Sequence, residues 1–318
     1  MMISNRILQL TGVSICVFFL SFVSEAQQNV LNKISRIDSH IHLYDTNRKE
    51  SSVFLDSVKQ KKIYYPHLAK EFLETASPAG IKYAVVIEAS QRREDNFWAM
   101  DIVNKSENLL AFVANLDPRD PLFISDMEIL LKSEKFRGIR IRPKTKIDIS
   151  TQEFLDQMGE LDKRNLVIEF GPNQEPVEAI EKIAHTYPNM NIIINHMAGG
   201  CIRNNKIVPG SWNARLKRLS ALPNVYCKIS ALYTLSGKSP APIDVEFYKL
   251  FIDQVVNAFG SDRVIYGSNW TLSDMLGSYV DLVKIYDDYL EGNVCITPEQ
   301  LYLDNIRKAY GLNCSEQY

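Results

Sequence analysis

Short apolar runs rich in β-branched residues recur along most of this chain. Eight runs of four to seven residues can be recognised: Ile34–Ile37, Tyr83–Ile87, Leu109–Asn115, Phe136–Ile141, Leu166–Phe170, Asn191–Asn195, Val225–Ile229 and Arg263–Tyr266. Most are nearly continuous in hydrophobicity, as in a strand covered on both faces, and unlike the alternation of a half-exposed sheet. The first is the weakest, since Ser35 and Arg36 interrupt it. The pattern predicts eight buried strands.

Stretches with helical spacing lie between several of these runs. Pro176–His185 and Val245–Phe259 place apolar residues at intervals of three and four, opposite charged ones. Strand and helix alternating eight times predict an α/β fold, a single-domain (β/α)8 TIM barrel. An open, doubly wound sheet is the alternative. That fold is typically marked by a glycine-rich turn after the first strand, where this chain has Ser39-His40-Ile41-His42.

Two long connections interrupt the regular alternation. Thr46–Leu73 is predicted to be an extended loop over the barrel mouth, followed by the start of a helix. Ala198–Leu216 is predicted to be a second loop of this kind.

The amino terminus has the pattern of an export signal. A charge-free apolar run, Ile7–Val23, precedes Ser24-Glu25-Ala26, which places small residues where a signal peptidase reads them. The run is about 17 residues long, at the short limit for crossing a bilayer, so a membrane anchor is the weaker alternative. We therefore predict a secretory signal peptide at residues 1–26, a barrel domain at 27–318, and an exported protein in the periplasm or outside the cell.

Charge and cysteine content narrow the class of protein. A net charge of −2 gives no electrostatic reason to expect nucleic acid or an anionic membrane as a partner. Beyond the predicted signal lie four cysteines, none at a Cys-x-x-Cys spacing: Cys201, Cys227, Cys295 and Cys314. A domain of this size buries enough core without crosslinks, so we expect core or incidental cysteines and no disulfide framework. The oligomeric state is left open.

Polar side chains follow the apolar runs at nearly every predicted carboxyl end. They are His40, His42, Glu88, Asn115, Asp117, Arg140, Arg142, Glu169, His196, Lys228, Ser230, Ser268 and Asn269. Barrel active sites are built at this end of the strands, so the pattern predicts an active site. His40 and His42 are alternate residues, and both imidazoles can therefore face the lumen.

Individual members of this ring have competing interpretations. Arg140 and Arg142 suit a substrate carboxylate, since an arginine fork matches that group, although rim salt bridges are the alternative. Glu169 either pairs with one of these arginines or has a catalytic or ligand role, and Lys228 is interpreted as structural, with substrate contact as the alternative. Residues placed outside the site, at the surface, on helices or in packing, are His67, His185, Tyr64, Tyr65 and Tyr233.

Several motifs in order resemble the amidohydrolase superfamily, and within it the amidohydrolase-related branch of sugar-lactone and dicarboxylate-lactone hydrolases. The resemblance extends from about Ile34 to Gly311. Its motifs are Ile-Asp-Ser-His-Ile-His-Leu at the first strand, Phe-Arg-Gly-Ile-Arg at the fourth, Ile-Ile-Asn-His-Met-Ala-Gly-Gly at the sixth, Val-Tyr-Cys-Lys-Ile-Ser at the seventh, Val-Ile-Tyr-Gly-Ser-Asn-Trp at the eighth and Leu-Asp-Asn-Ile-Arg-Lys-Ala-Tyr-Gly near the end.

The resemblance implies roles at the matching positions. His40 and His42 match a histidine pair that binds a divalent metal in some members and substrate in others. His196 matches the sixth-strand histidine that contacts the reacting carbonyl. The arginines at 140 and 142 match a region that binds a substrate carboxylate.

Two departures from the family pattern concern the base and the metal. Asn269 stands where the family has an aspartate base, and an amide can orient water but cannot accept its proton. Without a metal, the base would be Glu169, His196 or a loop residue such as Asp274. Members with a metal commonly add a histidine at strand five, where this chain has Glu169. We expect either no metal or one divalent ion, most simply zinc on His40, His42 and that carboxylate.

These observations predict a hydrolase for a small-molecule substrate. The first hypothesis is hydrolysis of a lactone or similar cyclic ester of a sugar acid or small carboxylate, with His196, Asn269 and Glu169 as catalytic candidates. His40, His42, Arg140 and Arg142 are the substrate-binding candidates. Alternatives are amide hydrolysis, decarboxylation, or a periplasmic binding protein that lost catalysis with the aspartate.

Overall fold

The computed structural model describes residues 34–50, 55–141, 151–172, 176–200, 202–203, 206–207, 211–291 and 293–312. The predicted export signal lies outside the described residues, and so do Arg142, Cys201 and Cys314.

Eight parallel strands form the central sheet, paired in chain order. They are β1 (Arg36–Ile41), β2 (Ile81–Ile87), β3 (Leu109–Ala114), β4 (Phe136–Arg140), β5 (Val167–Phe170), β6 (Ile192–Ile194), β7 (Val225–Ser230) and β8 (Val264–Gly267). Each overlaps one of the apolar runs, so the eight predicted strands are confirmed.

The last strand returns to the first and closes the barrel. The His42 backbone N–H donates to the carbonyl of Trp270 at 2.8 Å, and the Asn269 N–H donates to the carbonyl of His40 at 3.0 Å. Ile41 and Trp270 form a parallel bridge between these contacts. The (β/α)8 barrel is therefore confirmed, and the open doubly wound sheet is excluded.

Helices follow most of the strands. They are α1 (Ala69–Ala76), α2 (Arg93–Lys105), α3 (Phe123–Leu130), α4 (Gln152–Asp162), α5 (Val177–Thr186), α6 (Ser211–Ser220), α7 (Leu232–Leu235), α8 (Val245–Phe259), α9 (Tyr279–Glu291) and α10 (Asn305–Tyr310). Single turns of 3₁₀ helix cover Lys61–Ile63, Ser77–Ala79, His196–Gly199 and Leu272–Met275, and a π-helical segment covers Gln300–Asp304. Both predicted helices are present, as α5 and α8.

Helix α8 illustrates how the sequence sets an element. The Asp244 carboxylate accepts a hydrogen bond from the Glu246 N–H at 3.0 Å and caps the first turn. Phe251, Val255 and their neighbours at helical spacing are buried against the sheet. The helix ends at Gly260, whose φ of 76° suits a residue without a Cβ.

The described residues form three buried apolar clusters: one between sheet and helices, one inside the barrel, and a small one that includes Tyr44 and Ile63. The inner cluster joins lumen-facing residues such as Ile37 and Val113 to Ile306 and Tyr310 of α10. The Asn191 side chain, just before β6, donates to the Lys308 carbonyl at 3.0 Å, which places α10 at the amino-terminal end of the strands. Helix α10 therefore closes the bottom of the barrel.

The described part of the first long connection agrees with its prediction, whereas the loop predicted to extend to Leu216 ends earlier, because α6 begins at Ser211. The first contains a 3₁₀ turn and the start of α1, and the second contains a short antiparallel pair, Ile202–Arg203 with Lys206–Ile207, before α6. Of the two described cysteines, Cys227 is buried in the core and Cys295 is exposed, and both carry free thiols. None of the described helices is long and apolar enough to cross a membrane.

Candidate active site

Three histidines meet at the carboxyl end of the barrel. The ring centroids of His40 and His42 lie 5.0 Å apart, and those of His40 and His196 lie 4.7 Å apart. His40 is fully buried, and Gly267 on β8 gives it room, since a Cβ there would lie 2.9 Å from the His40 Cβ. His196 follows β6 in a left-handed conformation, with φ of 52°. The structure thus brings together the histidines singled out by the sequence.

Neighbouring groups fix the orientation of two of these rings. His42 Nδ1 lies 3.1 Å and 3.0 Å from the backbone carbonyls of Ile87 and Glu88. Because carbonyls only accept, Nδ1 carries the proton and Nε2 presents its lone pair. His196 Nδ1 lies 2.8 Å from the Ser230 hydroxyl oxygen, which also accepts from the His196 backbone N–H at 3.2 Å.

His40 is a neutral imidazole in this environment. Burial lowers its pKa well below the usual value, and the nearby cationic groups of Lys228, His196, His42 and Arg140 lower it further. Its Nδ1 lies 3.2 Å from the Lys228 ammonium nitrogen. Its Nε2 has no hydrogen-bond partner among the residues that the structure describes. One nitrogen of His40 is thus held by the protein, and the other is available to a reacting molecule.

A buried ion pair lies directly below His40. Lys228 Nζ donates to both carboxylate oxygens of Glu169 at 2.9 Å, and neither side chain is exposed to solvent. The Tyr310 hydroxyl, reaching up from α10, donates to Glu169 Oε1 at 2.5 Å. Burial lowers the pKa of Lys228 to about 8, while the Glu169 carboxylate opposes this shift. The ion-pair partner of Glu169 is therefore Lys228, a pairing that the sequence interpretation did not include.

Arg140 ends β4 with its side chain buried. Its guanidinium lies 3.7 Å from the Glu88 carboxylate, which is also buried. It is close enough to His40 to lower the pKa of that imidazole. Arg140 therefore belongs to the site, whereas the second predicted arginine, Arg142, lies outside the described residues.

Asn269 lies at the closure of the barrel, next to the histidines. It adopts a left-handed conformation with φ of 63°, which asparagine tolerates better than most residues. Its side-chain oxygen is buried and has no hydrogen-bond partner within the described part of the chain. Asp274 lies further along the same loop, where burial raises the pKa of its carboxyl to about 6.

Asn115 and Asp117 are engaged away from this cluster. The Asn115 amide donates to the Ser90 carbonyl at 3.0 Å, and Asn115 exchanges two further bonds with Asn96. Asp117 forms an ion pair with Arg119 at 2.7 Å. These two residues stabilise loops of the barrel mouth and contribute nothing to the histidine cluster.

The position of His67 differs from the one that the sequence predicted. It is buried, and its ring packs against Tyr65, Tyr44 and Trp270 at centroid distances of 4.1, 5.0 and 5.1 Å. Its assignment as a surface or helix residue is therefore wrong, because the connection after β1 folds back over the barrel. His185 is exposed on α5, as expected.

Asp38 was not singled out from the sequence, although it lies where β1 meets β8 and closes the barrel. Its Oδ1 accepts from the backbone N–H groups of His40 at 2.9 Å and Ser268 at 3.0 Å, and its Oδ2 accepts from the Tyr279 hydroxyl at 2.9 Å. Asp38 thereby fixes the end of β1 against β8. A carboxylate two residues before a lumen-facing histidine was the available signal.

The expected zinc ligands do not form a metal-binding set. Glu169, the predicted third ligand, has both carboxylate oxygens engaged by the Lys228 ammonium. Across the described ranges, no three histidine, cysteine, aspartate or glutamate side chains are grouped so that they could hold a metal. A zinc ion on His40, His42 and Glu169 would have to displace the buried Lys228, so these three residues do not fit a zinc site.

Comparison with known proteins identifies the family. The sequence pattern of the amidohydrolase family matches residues 37–313. The chain belongs to the amidohydrolase family. This amidohydrolase is a hydrolase, and it is 25% identical over 252 residues to an L-fucono-1,5-lactonase of Burkholderia ambifaria, covering 77% of this chain and 83% of that protein.

Two solved structures show the same fold. An amidohydrolase from Burkholderia multivorans, solved with bound zinc, has a TM-score of 0.74 and 18% identity, covering 88% of this amidohydrolase and all of that chain. A putative 2-pyrone-4,6-dicarboxylic acid hydrolase from Pseudomonas putida has a TM-score of 0.65 and 19% identity, covering 88% and 98% of the two chains. At these identities the structures support the barrel alone.

Proposed function

We propose that this amidohydrolase opens a lactone, or a similar cyclic ester, of a sugar acid or small carboxylate. The observation that carries the proposal is the cluster of three histidines at the barrel mouth, with a buried arginine beside it. The similarity to an L-fucono-1,5-lactonase supports the same class of substrate. Ester cleavage is also the mildest reaction of the superfamily, so it best tolerates the loss of an aspartate base.

The reaction assigns one role to each group. The lactone carbonyl lies against the histidines, and a water molecule attacks its carbon. The Asn269 side-chain oxygen accepts a hydrogen bond from this water and orients it, since its lone pairs have no protein partner within the described residues. His196 accepts the water's proton, because the Ser230 hydroxyl holds its ring in place at the mouth.

Collapse of the tetrahedral intermediate completes the cycle. The ring carbon–oxygen bond breaks, and the imidazolium of His196 returns its proton to the leaving alkoxide. The product is an open-chain hydroxy acid, and its carboxyl ionises at neutral pH. Glu169 takes part in none of these reaction steps, because the Lys228 ammonium engages both of its carboxylate oxygens.

Arg140 supplies the selectivity for an acidic substrate. It is buried near His40, so it can face a carboxylate attached to the lactone ring. A guanidinium in a desolvated site binds carboxylate through two parallel hydrogen bonds, which fixes orientation as well as charge. We infer that the substrate carries a negatively charged group at the position that faces Arg140, or hydroxyl groups at that position instead.

A panel of sugar-acid and dicarboxylate lactones tests the proposal, with proton release followed by a pH indicator. Each turnover releases one proton, so the assay requires no knowledge of the product. We expect at least one lactone to be hydrolysed, and His196→Ala to lose 100-fold or more, a usual size for a general base. His185→Ala, on the exposed face of α5, is the matched control. Equal activity of both variants would exclude the assigned role of His196.

Chelation tests the role of a metal in the same assay. We expect activity to survive dialysis against a chelator, since the described residues offer no third ligand beside the histidine pair. Loss of activity that zinc restores would contradict this and would require Glu169 to leave Lys228.

We also propose that the protein is exported after removal of residues 1–26, on the strength of the apolar run and the small residues at the cleavage site. Sequencing of the mature amino terminus, with Gln27 expected first, tests this. A mature chain that begins at Met1 or Met2 would contradict it.

A further inference from the structure

The Lys228–Glu169 ion pair below His40 is buried in the lumen of the barrel. Lys228 and Glu169 are fully buried in the lumen, and a buried ion pair alone contributes little net stability. Within the described part of the chain, Lys228 Nζ has three hydrogen-bonding contacts, to the two oxygens of Glu169 and to His40 Nδ1. Two of these contacts form the ion pair, and the third reaches a residue of the site. The pair therefore touches the reacting region directly.

We propose that Lys228, held by Glu169 and Tyr310, fixes His40 in the tautomer that carries its proton on Nε2, so that His40 donates a hydrogen bond to the substrate carbonyl oxygen. An ammonium group can only donate, and at 3.2 Å it requires His40 Nδ1 to act as the acceptor. A neutral imidazole then has its single proton on the other nitrogen. The inference deepens the proposed function, because it assigns the carbonyl-polarising group of the same site.

Two further observations support the assignment. Both oxygens of Glu169 face the lysine, and a carboxylate at 2.9 Å favours the charged, donating form of that amine. His40 Nε2 is buried and has no partner among the described residues, although a buried N–H normally has one. A substrate oxygen would satisfy it.

The Tyr310 hydroxyl extends the chain to the bottom of the barrel. It donates to Glu169 Oε1 at 2.5 Å, and the Lys228 ammonium lies 5.5 Å from the centre of its ring. The Tyr310 hydroxyl therefore holds the Glu169 carboxylate in place, and Glu169 and the Tyr310 ring together hold the Lys228 ammonium. Tyr310, Glu169 and Lys228 are positioning residues, because they act on the substrate only through His40.

The same contact has a consequence for metal binding. A nitrogen that carries a proton cannot ligate a metal, and the other nitrogen of His40 faces an ammonium group. The contact from Lys228 thus commits this histidine to hydrogen-bond donation. Removal of the lysine would release both the ring and the carboxylate of Glu169.

The tautomer can be measured directly by nitrogen-15 NMR of histidine-labelled, full-length protein without any substrate. The chain has five histidines, and the signals of His40 are identified by their loss in His40→Gln. We expect a single state protonated at Nε2. A His40 ring protonated at Nδ1 would overturn the proposal, whatever the activity of the enzyme.

The double variant Lys228→Met/Glu169→Gln tests the cause of this state. It removes both charges together, because Lys228→Met alone would leave a buried carboxylate unpaired and could unfold the barrel. We expect the nitrogen-15 shifts of His40 to move toward those of a mixture of tautomers, and kcat on a cleaved lactone to fall roughly tenfold or more with little change in KM. The matched control is Lys105→Met/Asp101→Asn, which removes an exposed lysine–aspartate pair on α2.

The outcomes separate this inference from the proposed function. If the Nε2 tautomer is present and depends on Lys228, but no lactone is cleaved, the substrate class is wrong and the inference stands. If the double variant keeps the pure Nε2 tautomer and the kcat of the unaltered chain, Lys228 does not set the state of His40, and the inference fails.

Discussion

The Ser230 hydroxyl oxygen lies 2.8 Å from Nδ1 of His196 and so fixes the orientation of the imidazole that follows β6. The two residues are 34 positions apart and are brought together by the pairing of β6 with β7. The same oxygen accepts from the His196 backbone N–H, so one side chain fixes both the ring and its main chain. His196 therefore depends on a residue of the neighbouring strand for its position.

Ser230→Ala should consequently slow the reaction without preventing substrate binding. The ring of His196 would lose its orienting hydrogen bond, and we expect kcat to fall about tenfold, in line with the loss of one hydrogen bond of about 1 to 1.5 kcal/mol. Ser236→Ala removes another buried serine hydroxyl, one that donates to the Tyr233 carbonyl away from the histidines. Steady-state kinetics on a cleaved lactone compare the two. Equal kcat values would show that Ser230 does not orient the base.

Arg140→Met should weaken binding of acidic lactones selectively. The variant loses the guanidinium that would face a substrate carboxylate, and we expect KM for such a lactone to rise roughly 10- to 100-fold, equivalent to 1.4 to 2.7 kcal/mol. Glu88, which lies 3.7 Å from the arginine, is changed to Gln in the same variant so that no buried carboxylate is left unpaired. A neutral lactone of the same ring size serves as the control substrate. A similar rise in KM for both lactones would contradict anion recognition by Arg140.

Much of the architecture was accessible from sequence because it depends on local pattern. Short, continuous apolar runs such as Leu109–Asn115 are typical of strands covered on both faces, and eight of them separated by helices leave few folds. The rule that barrel sites lie at the carboxyl ends of strands then placed His40, His42 and His196 in one site, which is where they meet.

The partners of Glu169 and the position of His67 were not accessible in this way. Glu169 bonds to Lys228, 59 positions away, and to Tyr310, 141 positions away, and sequence spacing does not specify such pairs. His67 is buried by the fold of a long connection, and the packing of a loop has no periodic signal to read.

Asn269→Asp should raise the rate of a working enzyme. A carboxylate at this position could accept the water's proton, and asparagine and aspartate share the tolerance for a φ of 63°. We expect an unaltered chain with measurable lactonase activity and a variant with kcat higher by about tenfold. This is less than the roughly 100-fold or more that a general base usually supplies, because His196 already accepts the proton. If the unaltered chain is inactive on every lactone and the variant is active, the natural protein is a binding protein that lost catalysis. Asn165→Asp, at an exposed position with a similar left-handed φ of 53°, controls for the added charge.

Asp274→Asn should change how the stability of the protein depends on pH. Burial raises the pKa of the Asp274 carboxyl from 3.8 to about 6, so between these values the folded chain keeps a proton that the unfolded chain has released. The free energy of unfolding contributed by this group is therefore full at low pH and is lost as pH rises toward 6. Asparagine does not titrate, so we expect the variant to gain on the order of 2 kcal/mol relative to the unaltered chain between pH 4 and pH 7. Urea denaturation at both pH values measures this difference, with the exposed Asp101→Asn as the control. A constant difference across this range would show that Asp274 is ionised in the folded protein as readily as in the unfolded chain.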